Sequence, residues 1–397
     1  MTKVPFFDLQ RQYLPLREDI LSGIATLCDR QNFILGPQVQ ELEQKIAALA
    51  GTAYGVGTSS GTDAQLVTLM SLAIGSGDAV LTTPFTFFST AGCISRVGAT
   101  PIFIDIDPNT FALSPERLEE FLVKRCVSTP AGLKTLGGKR VRAVIPVHLF
   151  GLCADMESIM EVAKRGNLAV IEDAAQAIGA KYPFHNGVRS AGAVGLAGFF
   201  SFYPTKNLGA FGDAGMVVTN DSQLAHHLRR MRNHGMEPKY YHPEIGGNFR
   251  LDALQAVVLL KKLPHLAAWS QRRWEIAQKY REALSDLNPN LLLPFEPHRE
   301  TCGPSGHIFH QFVIRTGQRD ALRAYLEEIG IGTEIYYPLA LHQLECFRYL
   351  GYQKGEFPEA EQAASECLAL PIFPELTQEE IDQVTGAIRT FFKQKHV

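Results

Sequence analysis

Two stretches of the sequence indicate the fold most clearly, LAVIEDAAQ at 168–176 and FFSFYPTKNLG at 199–209. Each begins with a run of apolar, β-prone residues and then changes abruptly to polar residues and a turn. An apolar run without alternation is typical of a strand buried on both faces of a parallel sheet. The polar residues that follow are therefore expected at the carboxyl edge of the sheet, where ligands bind in open α/β folds.

Further runs of this kind occur on both sides of these two, between about residues 50 and 220. The seven candidate strands are 53–57, 79–83, 101–105, 142–148, 168–172, 198–202 and 215–219. Segments with helical periodicity separate most of them, at 62–74, 114–125 and 154–165. This alternation predicts an α/β fold whose large domain has a mainly parallel seven-stranded sheet flanked by helices.

The chain after about residue 250 has a different pattern. Residues 251–285 form a long helical stretch that Pro264 breaks or kinks, and a proline-rich loop follows at 288–306. The elements expected beyond the loop are strands at 309–314 and 333–337 and a helix at 319–329. We therefore divide the chain into a large domain, 1–265, and a smaller α+β C-terminal domain, 266–397.

Composition narrows the class of protein. The 397 residues are 46% hydrophobic and 20% charged, with a net charge of −3 and no run of like charges, which argues against a nucleic-acid-binding or membrane-surface role. The seven cysteines are odd in number and contain no C-x-x-C pair, so they fit neither a disulfide framework nor a zinc site. The start has no signal-peptide pattern, and no long apolar stretch is present. We expect a soluble, cytoplasmic protein.

Three sites at predicted strand ends have residues suited to chemistry. GVGTSSG at 55–61 is a weak match to the dinucleotide fingerprint, but it leads a strand into a helix near Thr62, which is either a phosphate site or an ordinary capped turn. Asp173 ends a buried strand, where it either holds a cationic ring nitrogen, caps the next helix or forms a salt bridge elsewhere. Lys206 follows 33 residues later, after the polar Ser201, at the expected end of a neighbouring strand. A lysine placed there can form a Schiff base with an aldehyde cofactor, although a lone lysine is more often a surface charge.

The two histidines of GHIFHQF, His307 and His310, do not suggest a metal site. If this segment is a strand, residues three apart face opposite sides of it and cannot share a metal ion. We predict no metal site in the chain.

Six segments, taken in order, resemble the motifs of the DegT/DnrJ/EryC1/StrS family. They are SSGTDA at 59–64, TPFTFFST at 83–90, PVHLFG at 146–151, EDAAQ at 172–176, SFYPTKNLG at 201–209 and GGNFRLDALQA at 246–256. These proteins are PLP-dependent nucleotide-sugar aminotransferases of the aspartate-aminotransferase fold, PLP-transferase fold type I. The resemblance implies pyridoxal 5′-phosphate (PLP) as cofactor, and nucleotide sugar and L-glutamate as substrates.

The resemblance also implies roles for individual residues. Lys206 would carry the cofactor and act as acid and base, and Asp173 would pair with the pyridine nitrogen. Phe87, which by itself would more often be a core residue, would stack on the ring, and Gln176 would lie near its phenolic oxygen. The phosphate contacts implied are Gly61, Thr62 and Ser201 of one subunit and Asn248 of the other. The protein would thus be a homodimer with shared active sites.

Substrate contacts and the position of amination are the finest predictions. RLD-x-LQA, from Arg250, resembles members that act on 3-keto sugars, which favours amination at C3 of a UDP-linked 3-keto N-acetyl-uronate or a dTDP-linked 3-keto-6-deoxyhexose. The substrate-side residues predicted are His148, Arg250, Tyr336, Tyr337 and His342. The alternative for His148 is that it simply ends a strand. Arg250 meets a carboxylate or phosphate in this interpretation, and an internal pair with Asp252 is its alternative.

Three alternative functions accompany this interpretation. One is amination of a 4-keto sugar by the same chemistry. Another is dehydration, which some relatives carry out with a histidine in place of the lysine, and which Lys206 argues against. The third is a non-enzymatic regulatory protein on the same fold.

Overall fold

The computed structural model describes residues 3–130 and 132–394 of the chain. Its strands are β1 Tyr54–Thr58, β2 Asp78–Thr82, β3 Thr100–Phe103, β4 Cys126–Thr129, β5 Gly132–Thr135, β6 Arg140–Ile145, β7 Ala169–Asp173, β8 Lys181–Phe184, β9 Gly187–Ser190, β10 Ala197–Ser201, β11 Gly215–Thr219, β12 Phe312–Arg315 and β13 Cys367–Leu370. The α-helices are α1 Leu9–Tyr13, α2 Arg17–Arg30, α3 Pro37–Ala50, α4 Gly61–Ser71, α5 Ser89–Arg96, α6 Pro115–Arg125, α7 Met156–Arg165, α8 Ser222–Met231, α9 Ala253–Lys262, α10 Leu266–Leu284, α11 Arg299–Cys302, α12 Arg319–Glu328, α13 Pro358–Glu366 and α14 Gln378–Gln394.

The central sheet confirms the seven predicted strands. They run in the order β1-β11-β10-β7-β6-β2-β3, and the pairs from β10 to β3 are all parallel. Strand β11 is antiparallel to both of its neighbours, so β1 and β10 point the same way. The carboxyl ends of β1, β2, β6, β7 and β10 therefore meet at one edge of the sheet.

Both faces of the sheet are covered, as continuous apolar strands require. Val170 and Phe200 pack into the apolar cluster on one face, whereas the adjacent Ile171 and Phe199 pack into the cluster on the other. Side chains of successive strand residues alternate between faces, so each strand contributes to both clusters. This packing fixes the strand register and with it the positions of the residues at the carboxyl edge.

Two features of the sheet region differ from the sequence prediction. The hairpin β4–β5 pairs with β6 and extends the sheet to nine strands. Its two strands contain no apolar run that would predict them, and none of their residues is buried. The prediction of a strand at 333–337 is wrong, since only Glu334 makes an isolated bridge, to Ala369. The aromatic residues of that segment instead contact the aromatic side chains of a neighbouring cluster.

The C-terminal region has an apolar cluster of its own. It contains residues of α10, β12, β13 and α14, together with Val4 from the start of the chain. Pro264 lies in a short 3₁₀ turn between α9 and α10, which confirms the break predicted in that helical stretch. The separate cluster supports a division near residue 265, which stays a prediction.

Candidate active site

Polar residues from five strand ends lie at the carboxyl edge of the sheet. Asp173 ends β7 and Ser201 ends β10, and the two strands are adjacent and parallel, with Phe199 in register with Asp173. Lys206 follows β10 in the loop that returns to β11. Residues 59–62 follow β1, 84–90 follow β2, and His148 follows β6. The fold thus brings the residues of the predicted PLP site to one edge.

Two adjacent acids end β7, and they point to opposite faces. The Asp173 carboxylate accepts hydrogen bonds from Thr90 Oγ1 at 2.8 Å and from the backbone N–H of Ala175 at 3.1 Å. Burial raises the pKa of Asp173, and these two bonds and the nearby Lys206 act against that rise. Glu172, by contrast, accepts three backbone N–H bonds from residues 192–195. Only Asp173 is placed for chemistry at the edge.

His148 has a structural role rather than the predicted substrate contact. The ring is fully buried, and its Nδ1 accepts the backbone N–H of Ala154 at 3.1 Å. The proton of the neutral ring is therefore on Nε2, which donates to Glu172 Oε2 at 2.9 Å. Because both ring nitrogens have protein partners, His148 holds the end of β7 in place and leaves no group for a sugar.

Lys206 is partly buried in a tight loop. Its backbone N–H donates to the Tyr203 carbonyl at 2.8 Å, and a Cβ on Gly209 would lie 2.2 Å from the Pro204 carbonyl oxygen, so only glycine fits there. Burial lowers the pKa of the Lys206 amine to about 8, against the opposing attraction of Asp173. About a tenth of the amine is therefore neutral at pH 7, far more than for an ordinary lysine, and this neutral form is the nucleophile.

A narrow polar cradle lies between α4 and β10. Ser60 caps α4 by accepting the backbone N–H of Asp63, and the helix begins at Gly61, one residue before the predicted start at Thr62. A Cβ on Gly61 would lie 2.7 Å from the Cβ of Ser201, which shows how closely the helix N-terminus approaches β10. The N-terminus of α4, with Thr62, therefore lies directly beside Ser201, and a helix N-terminus next to a hydroxyl suits a phosphate.

Three other predicted residues contact one another above this edge. Gln176 accepts the backbone N–H of Phe150 at 2.7 Å and donates from Nε2 to the Tyr337 hydroxyl at 3.1 Å. The Tyr337 and Phe87 rings are 6.3 Å apart. Phe87 is 55% exposed, so it is not the core residue that its sequence alone suggested. An exposed ring beside the site fits stacking on a planar cofactor.

Asn248 and Arg250 lie on a segment that runs beside residues 58–59 of the same chain. Ser59 donates its backbone N–H to the Phe249 carbonyl at 3.0 Å. Asn248 is exposed. Arg250 donates to Asn233 Oδ1 at 2.8 Å, and the part of the chain that the structure describes contains no pair between Arg250 and Asp252.

The two remaining predicted residues, Tyr336 and His342, lie in different places. Tyr336 packs against Tyr337, with ring centroids 5.7 Å apart, and burial raises its pKa to about 12. His342 is turned away, because its Nε2 bonds to Glu361 at 3.1 Å and its ring packs on Phe357. His342 is therefore not brought to the PLP residues.

Residues 307–311 precede β12. The assumption that His307 and His310 lie on a strand is therefore wrong. Within residues 3–130 and 132–394 no cluster of three or more potential metal ligands occurs. No helix in that same part of the chain is both long and apolar enough to cross a membrane.

Comparisons with known proteins agree with this geometry. The DegT/DnrJ/EryC1/StrS aminotransferase family model matches residues 15–389. The chain belongs to this family. A pleiotropic regulatory protein of Geobacillus stearothermophilus is 45% identical over 98% of this chain and 99% of its own. A UDP-N-acetyl-3-dehydro-alpha-D-glucosamine 3-aminotransferase of Acidithiobacillus ferrooxidans is 44% identical over 98% of each chain. The crystal structure of S. venezuelae DesV in complex with a ketimine intermediate has a TM-score of 0.89 and 38% identity, over 98% of this chain and 99% of DesV.

The protein is a PLP-dependent nucleotide-sugar aminotransferase, and the predicted fold type I architecture is confirmed. The site fits the cofactor on three observations. A cradle too close for a Cβ at Gly61 suits the phosphate, and a buried carboxylate suits a protonated ring nitrogen. A lysine with a lowered pKa suits the aldehyde.

Proposed function

We propose that the enzyme transfers the amino group of L-glutamate to C3 of a nucleotide-linked 3-keto sugar. The observation that carries the catalytic assignment is the placement of Asp173 and Lys206 after adjacent parallel strands, at one edge of the sheet. When bound, PLP supplies an aldehyde that takes up the amino group and a pyridine ring that accepts electrons from a Cα–H bond.

The residues of the chain divide the remaining work. The Lys206 amine would take the proton from Cα of the amino acid as a base and deliver it, as an acid, to the former aldehyde carbon of the cofactor, for which a pKa of about 8 is well placed. The Asp173 carboxylate, held by Thr90 and Ala175, keeps a proton on the ring nitrogen. The N-terminus of α4 and Ser201 hold the phosphate, and Phe87 covers one face of the ring.

Two observations support C3 rather than C4. The RLD-x-LQA sequence resembles members that act on 3-keto sugars. The relative of A. ferrooxidans, with 44% identity over nearly the whole chain, is named as a 3-aminotransferase of a UDP-linked sugar.

A panel of substrates tests the position. The enzyme with PLP and L-glutamate is incubated separately with UDP-linked 3-keto N-acetyl sugars, a dTDP-linked 3-keto-6-deoxyhexose and the corresponding 4-keto sugars. We expect a 3-amino product, identified by NMR. Turnover of the 4-keto sugars alone would contradict amination at C3, and no turnover of any keto sugar would contradict the proposal as a whole.

We also infer a homodimer in which Asn248 of each subunit contacts the phosphate at the site of the other. The exposure of Asn248 supports this inference. Lys206→Ala chains are mixed with chains that carry a disruptive Asn248 variant shown to be folded and dimeric. A mixed dimer places both lesions in one site, so random assortment should restore about a quarter of all sites. If tagged mixed dimers form without added activity, Asn248 does not act across the interface.

A regulatory role is the second candidate, and the name of the G. stearothermophilus relative is the observation that favours it. Lys206, Asp173 and the phosphate cradle are nevertheless all present, which supports catalysis in this chain.

The cysteines are unpaired, which supports the cytoplasmic location inferred from the sequence.

A further inference from the structure

Asn207, the residue after Lys206, ties the lysine loop to a distant part of the chain. Its side-chain Nδ2 donates to the Ile308 carbonyl at 3.1 Å, and its Oδ1 lies 3.1 Å from Nδ1 of His310. Asn207 is 4% exposed, so both bonds are shielded from water. These contacts join the loop after β10 to the segment 307–311, about a hundred residues later in the sequence.

The protonation of His310 follows from these partners. Since Nδ2 of Asn207 is committed to a carbonyl, Oδ1 must be the acceptor, and Nδ1 of His310 carries the proton. Burial, together with the positive charges of Lys206 and Arg273, holds the pKa of His310 well below its usual range. His310 is thus a neutral donor that adds no positive charge beside Lys206.

The segment 307–311 is itself firmly held. Arg273, which is 1% exposed, donates to the Phe309 carbonyl at 3.2 Å and to the Ile372 carbonyl at 2.7 Å. A Cβ on Gly151 would lie 2.9 Å from the backbone nitrogen of His310, so the turn at 149–151 packs directly on the segment. A side chain bonded to this segment is therefore bonded to a rigid support.

The same support reaches the other side of the site. Ile308 donates its backbone N–H to the Gly151 carbonyl at 3.0 Å, and the preceding Phe150 donates its N–H to Gln176 Oε1 at 2.7 Å. Segment 307–311 therefore lies behind both the lysine loop and Gln176. A shift of the segment would move the two together.

We propose that Asn207 and His310 are positioning residues that hold the loop so that the Lys206 amine reaches the aldehyde of PLP. The proposal deepens the proposed function and rests on Lys206 as the cofactor lysine. Neither residue needs to touch substrate or cofactor. Their effect should appear in the covalent capture of PLP and not in the contacts that hold the phosphate and the ring.

The test compares two ligands of the full-length apoenzyme, PLP and pyridoxamine 5′-phosphate. The second has an amine in place of the aldehyde, so it makes the same phosphate and ring contacts but cannot react with Lys206. We expect His310→Leu, which removes one buried hydrogen bond, to weaken PLP binding about ten-fold, and Asn207→Ala, which removes two, to weaken it by at least as much. Binding of pyridoxamine phosphate should change less than about two-fold in both variants. Calorimetric or absorbance titration measures both affinities.

Two further variants make the test specific. His310→Asn should restore PLP binding to within about two-fold of wild type, because the Asn Nδ2 is as many bonds from Cα as Nδ1 of His and can donate to Asn207. His307→Leu is the matched control. His307 lies on the same segment, but its Nδ1 accepts the backbone N–H of Phe309 and its ring stacks on Phe309, with no contact to Asn207. This variant should leave the ratio of the two affinities unchanged.

The outcomes separate the inference from the proposed function. An equal loss of both affinities in His310→Leu and Asn207→Ala would mean that these residues only stabilise the fold, and unchanged affinities would mean that they do not position the lysine. Either result overturns the inference. If Lys206→Ala itself leaves PLP binding unchanged, the assignment of Lys206 fails instead. If His310→Leu does not fold, Asn207→Ala and His310→Asn still decide the question.

Discussion

Replacing Lys206 by methionine should make the apoenzyme more stable. The Lys206 amine is placed for reaction with the cofactor. In the apoenzyme no cofactor has reacted with the amine, so its positive charge remains partly buried. The pKa of Lys206 falls from 10.5 to about 8, even with the attraction of Asp173 included. Each pKa unit corresponds to about 1.4 kcal/mol, so the charge costs up to about 3.5 kcal/mol of folding free energy. Because the side chain keeps some contact with solvent, we expect Lys206→Met to recover about 1–3 kcal/mol at pH 7.

The pH dependence identifies the cause. Well below pH 8 the lysine is protonated in both the folded and the unfolded chain, and nearly the full cost is present. As the pH rises from about 8 towards 10.5, the folded protein loses its proton first and the cost falls. The advantage of Lys206→Met should therefore shrink by more than half between pH 7 and about pH 10.

Urea denaturation of the apoenzymes at one protein concentration measures the difference. Lys262→Met is the matched control. Burial also lowers the pKa of Lys262 to about 8, but its Nζ donates to the Gly209 carbonyl at 2.8 Å. Removing Lys262 leaves that carbonyl without its donor, so the control should gain less or lose stability. If Lys206→Met is no more stable than wild type at pH 7, or if its gain does not change with pH, the buried charge of Lys206 does not destabilise the apoenzyme.

Two other predictions concern contacts found only in the structure. Thr90→Val removes the hydroxyl that donates to Asp173 Oδ2 and should slow the half-reaction with glutamate about ten-fold in single-turnover experiments. Thr90→Ser keeps a hydroxyl and should keep the rate. Equal rates for wild type, Thr90→Val and Thr90→Ser would contradict this role of Thr90. Asp105→Asn weakens the acceptor for the backbone N–H groups of Glu359 and Ala360 at the start of α13. The free energy of unfolding, measured by urea denaturation, should fall by about 1 kcal/mol. Unchanged stability would contradict this role of Asp105.

The sequence predicts secondary structure best where a segment is buried on both faces. The seven strands of the central sheet were predictable because both faces are covered, which demands continuous apolar runs such as Val170 to Ile171. The β4–β5 hairpin has no such requirement, since it is polar and lies at the margin of the sheet. Residues 333–337 have β-prone side chains but lack a continuous partner strand, so propensity alone misled there.

The site was predictable in its motif residues and not in their supports. Asp173 and Lys206 stand out because polar residues follow buried strands. The tautomer of His148 depends on the backbone N–H of Ala154, and the support of the lysine loop depends on His310. Such partners are chosen by the packing of the folded chain and leave no periodic signal in the sequence. These partners are identified only from interatomic distances in the folded structure.

The most direct test of the central claim is the identity of the lysine that holds the cofactor. The holoenzyme is reduced with borohydride, digested, and mapped by mass spectrometry. We expect a single cofactor adduct, on Lys206, that is absent from Lys206→Ala prepared in the same way. An adduct on any other lysine in wild-type protein would contradict the assignment of the active site.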